Sequence, residues 1–65
     1  MSNIRQDIVQ EVTSRFTKAQ ILDNARRNEE YPFGFVIDYI KDMYSLPKTE
    51  GWDTAMAICE QYGLV

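Results

Sequence analysis

Asp38 and Asp42 stand four residues apart, a spacing that stacks two carboxylates on one face of a helix. Paired carboxylates can bind a metal or share acid–base work, provided that burial or a cleft shifts their pKa values. Lys41 lies beside them and the apolar positions of the same segment lie opposite, so the pattern predicts a solvated face. Cys59 falls within an apolar stripe with Ala55 and Met56. Nothing basic adjoins it to make a thiolate, which predicts a small buried hydrophobe. Arg15, Lys18, Arg26 and Arg27 form a basic patch able to contact phosphates. Asp23, Glu29 and Glu30 are close enough in sequence to neutralise it by ordinary pairing. With no histidine, one cysteine and no glycine-rich phosphate loop or Ser/Lys constellation, the expectation is a non-enzyme that carries no metal and no cofactor.

The elements that must position these residues read as helices. Over residues 3–15, Ile4, Ile8, Val9, Val12 and Phe16 share one arc of about 140°. Thr17 with Gln20 three residues on is the capping-box relation, which starts a second helix running to about residue 27. Its apolar stripe is only Ala19, Ile21, Leu22 and Ala25, so it is peripheral or waits for a cover. Pro32 suits the first position of a third helix, over 32–44, with Glu29 and Glu30 at its positive dipole end. Phe33, Val36, Ile37, Tyr39, Ile40, Met43 and Tyr44 give it the widest apolar arc, that of a central helix. Leu46, restricted by Pro47, ends it. Thr49 is the expected cap of a fourth helix over 50–62, with Trp52, Ala55, Met56, Ile58, Cys59 and Tyr62 inward. Gly63 is its left-handed terminator and Leu64 the accompanying contact. The expected fold class is all-α, a compact bundle of three to four short helices in a single domain, 1–65. Trp52, Met56, Ile58 and Cys59 should pack on the third helix, and Ile4, Ile8 and Val12 should complete the core.

Phe35 falls outside the main arc. Either it folds inward, or it joins Tyr31 and Tyr39 as an exposed aromatic patch flanked by Asp38 and Asp42, a candidate protein-binding site. Residues 55–64 (AMAICEQYGL) also read like the opening of a helix-turn-helix unit. Only Val65 follows, with no recognition helix, so a glycine-capped helix is the expectation. The apolar third helix followed by Ala55-x-x-x-Cys59-Glu60-x-x-Gly63-Leu64 resembles the late-transcription coactivators of tailed phages over about half of the chain. Those are small helical proteins that bind RNA polymerase, so the resemblance implies action by binding a larger protein and a possible origin in a phage.

Charge and size sharpen the expectation. Residues 1–27 carry five basic groups against three acids, and residues 28–65 two against seven; seven of the eight aromatics also lie in the second part. Either the two parts attract one another within the fold, or they form faces of opposite sign, one of them for a partner. A 65-residue chain without disulfide or zinc buries only about 60% of its unfolded surface, so apolar surface is left over. No apolar run is long enough for a bilayer and the polar start is no signal peptide, which predicts a cytoplasmic protein away from membranes. The function expected is that of a non-catalytic accessory or inhibitory factor that binds a larger protein. The alternatives are a homodimer with a structural or regulatory role, and a weak nucleic-acid-binding module using the basic first half.

Overall fold

The structure, a computed structural model, describes residues 3–64, and all regular elements among them are helices: α1 (Gln6–Arg15), α2 (Lys18–Arg27), α3 (Pro32–Tyr44) and α4 (Lys48–Gln61). The radius of gyration is 10.7 Å, against about 11 Å expected for a packed chain of this length. None of these helices is long and apolar enough to cross a membrane.

The second and third helices start where local punctuation places them. Thr17 closes a complete capping box: the Gln20 amide donates to its hydroxyl at 3.1 Å, and its own amide donates to the Gln20 side chain at 2.8 Å. Pro32 opens α3, and no cis peptide occurs among the described residues. The first helix begins three residues later than its apolar spacing predicts. The backbone of Arg5 is extended, and its amide donates to Thr54 Oγ1 at 3.0 Å, which holds the entry to α1 against α4. The fourth helix begins two residues earlier than predicted. Pro47, not Thr49, takes the cap position, and its carbonyl accepts the first helical bond, from Gly51, at 2.8 Å.

Ile8, Val9, Val12, Ile21, Val36, Ile40, Leu46, Ala55, Ile58 and Cys59 form the core. α3 is central, packed by α2 and α4, and α1 packs on α4. α1 and α4 run parallel: Arg5 meets Thr54 near one end, and the Tyr62 hydroxyl donates to the carbonyls of Phe16 and Val12 at the other. Two expected core residues are displaced. Trp52 is 52% exposed and Met43 57% exposed. The buried face of α4 is Gly51, Thr54, Ala55, Ile58 and Cys59, not one centred on Trp52 and Met56; Met56 is only half-buried. The reason lies at Gly51, where a β-carbon would stand 3.1 Å from Lys41 Cγ. The absent side chain lets α4 close on the Lys41 side of α3, which turns Trp52 toward the rim and leaves Met43 on the far side.

Candidate protein-binding surface

The N-terminal turns of α3 and α4 bring an aromatic group to the surface. Tyr31, the extended cap residue that precedes Pro32 at the start of α3, is 86% exposed. Two residues on, Phe33 meets Trp52 edge to face, with ring centroids 4.7 Å apart. Trp52 also borders a shallow depression with Lys48, Thr49 and Asp53. An apolar ring surface with a polar edge is the kind of area that anchors protein interfaces.

The residues singled out from sequence do not all converge there. Tyr31 does. Phe35 and Tyr39 instead pack on Phe16, at 6.2 and 5.2 Å between centroids and both nearly perpendicular to it, and are half-buried. Phe35 has thus folded inward, and Tyr39 is held from outside by Arg15, whose Nη1 donates to its hydroxyl at 3.3 Å. Asp38 and Asp42 are exposed, and no group of three potential metal ligands forms among the described residues. Asp38 has acquired a neighbour that sequence spacing did not single out. The Glu30 side chain lies over Gly34, and hydrogen bonding with Asp38, then lost hydration and the Asp38 charge, raise the Glu30 pKa above its ordinary value. Cys59 is fully buried, and burial pushes its thiol pKa up, away from reactivity.

The basic patch is spread out and engaged. Arg15 pairs with Glu11 at 3.0 Å, and Arg26 and Arg27 both reach Asp23, at 2.8 and 3.1 Å, while Lys18 is exposed and makes no ion pair among the described residues. With Arg5–Asp7, every ion pair among the described residues lies within 5–27. The basic part of the chain therefore neutralises itself. It does not clamp the acidic part through ion pairs.

Phe33 and Trp52 were absent from the sequence-derived surface. Phe33 lies within the α3 arc, and Trp52 is the residue type most readily assigned to a core. The signal that could have found them is Gly51, a glycine inside a helix, which marks a close helix approach. Compared with protein-family models, curated proteins and solved structures, the chain matches none.

Proposed function

We propose that this chain is a non-catalytic protein-binding factor, an accessory or inhibitory regulator of a larger protein, that docks through Tyr31, Phe33 and Trp52. The observation that carries this reading is the position of Trp52. The single tryptophan of the chain stands half out of the fold, edge-on against Phe33 at the start of α3, with Tyr31 nearby in sequence. A domain this small has every reason to bury its largest apolar side chain, and exposed tryptophan and tyrosine are the types that dominate binding energy at interfaces.

The test is affinity capture from extracts of the source cells with the wild-type chain and a Tyr31→Ala/Trp52→Ala variant. A protein retained by the wild type and lost by the variant, with helicity and melting unchanged, supports the reading. Equal retention by both removes this surface from the function.

A further inference from the structure

We propose that Met43 is a reversible oxidation site, at which hydrogen peroxide converts the thioether to a sulfoxide while the fold stays intact. Met43, Met56 and Cys59 are the sulfur-bearing side chains among the described residues, and the structure ranks them by access. Met43, near the end of α3, is 57% exposed; Met56 is half-buried on α4; Cys59 is fully buried. Peroxide must reach the sulfur it oxidises, so reactivity follows exposure. A thioether also reacts without losing a proton. Cys59 would first have to become a thiolate, and burial pushes its thiol pKa up. Leu22, Tyr31 and Trp52, the other exposed large apolar side chains, carry no sulfur.

The step balances with peroxide as the one co-reactant. A sulfur lone pair of Met43 attacks a peroxide oxygen, and the S–O bond forms as the O–O bond breaks. The departing hydroxide takes the proton of the transferred oxygen and leaves as water. Sulfur is oxidised by two electrons and peroxide is reduced by two. A thiol-dependent methionine sulfoxide reductase reverses the change, with two thiols ending as a disulfide and the oxygen as water. Met43 belongs neither to the buried core nor to the partly buried layer packed against it, so a polar sulfoxide there disrupts no core contact. The modification changes the chemistry of the surface and leaves the packing alone.

The experiment treats the full chain with hydrogen peroxide at neutral pH and stops the reaction with catalase at intervals. Cys59 is then alkylated in guanidinium, and the chain is digested with trypsin for mass spectrometry. Cleavage after Lys41 and Lys48 places Met43 in 42–48 and Met56 with Cys59 in 49–65, both apart from Met1, which lies outside the described residues. In the folded chain 42–48 should gain one oxygen about fivefold or more faster than 49–65, and the two rates should converge in guanidinium. The chain oxidised at Met43 should keep the helicity and melting of the unmodified protein, and a methionine sulfoxide reductase with dithiothreitol should restore the mass of 42–48. Met43→Leu should abolish uptake at 42–48 and leave the rate at 49–65 unchanged. Equal rates in the folded chain, or loss of helicity once Met43 is oxidised, would overturn the site. Failure of the reductase on the folded chain would overturn its reversibility.

Discussion

Glu29 holds φ at +56°, a left-handed conformation that a side chain disfavours. It does so because α2 ends in a paired set of bonds: the Glu30 amide donates to the Ala25 carbonyl and the Glu29 amide to that of Arg26. The same pair closes α4, where Leu64 donates to Cys59 and Gly63 to Glu60, but there a glycine at φ +72° occupies the left-handed position. Glu29→Gly should therefore stabilise the fold by about 0.5–1 kcal/mol, read as a raised denaturant midpoint at unchanged slope. The neighbouring Glu30 sets a pH dependence. A carboxyl with a raised folded pKa contributes stability at acid pH that is lost as pH rises through that value. Asp7 has the opposite sign: its hydrogen bond with Arg5 lowers its pKa, so its contribution is present at neutral pH and lost on acidification. Glu30→Gln keeps a donor for Asp38 and removes the titration. Between about pH 4 and pH 7 the variant should thus lose less stability than the wild type, measured as unfolding midpoints across that range.

At the scale of elements, the single buried polar side chain among the described residues, Thr54, ties the entry to α1 onto α4. Thr54→Val preserves the shape and leaves the Arg5 amide without its acceptor. It should cost about 1–2 kcal/mol, whereas Thr49→Ala, at a position where no cap bond forms, should be nearly silent in the same denaturation assay. These two threonines also mark how much was legible. The starts of α2 and α3 could be read because their signals, Thr17 with Gln20 and Pro32, act within a few residues. The starts of α1 and α4 could not, because distant partners set them: Thr54 holds the extended Arg5 against α4, and burial of Leu46 puts Pro47 where the helix begins. The surface was hidden for a related reason. Apolar type ranks Trp52 above Gly51 and Thr54, but the close approach at Lys41 needs the glycine inside, and the tryptophan is displaced by a choice made between two helices. Phe35, outside its helical arc, could be judged only once Phe16 was found beside it.

Across the whole molecule, charge and apolar exposure act against each other. At neutral pH the net charge of −3, concentrated in the half that carries Trp52 and Tyr31, should keep copies apart. Near the sequence pI of 4.7 that repulsion falls away. Light scattering should therefore find a monomer at pH 7 and association near pH 4.7, reduced in Trp52→Ala. A dimer persisting at pH 7 and low concentration would make this surface a self-contact. The parallel pairing of α1 with α4 has a mechanical meaning as well. Arg5 is fastened beside Thr54 at one end of the pair, and Tyr62 beside Phe16 and Val12 at the other. Tension applied through residues 3 and 64 consequently pulls the two helices past each other along their length. Both sets of hydrogen bonds and the Ile8–Val12 stripe then bear load together, so the chain should yield in one abrupt step, not peel open from an end.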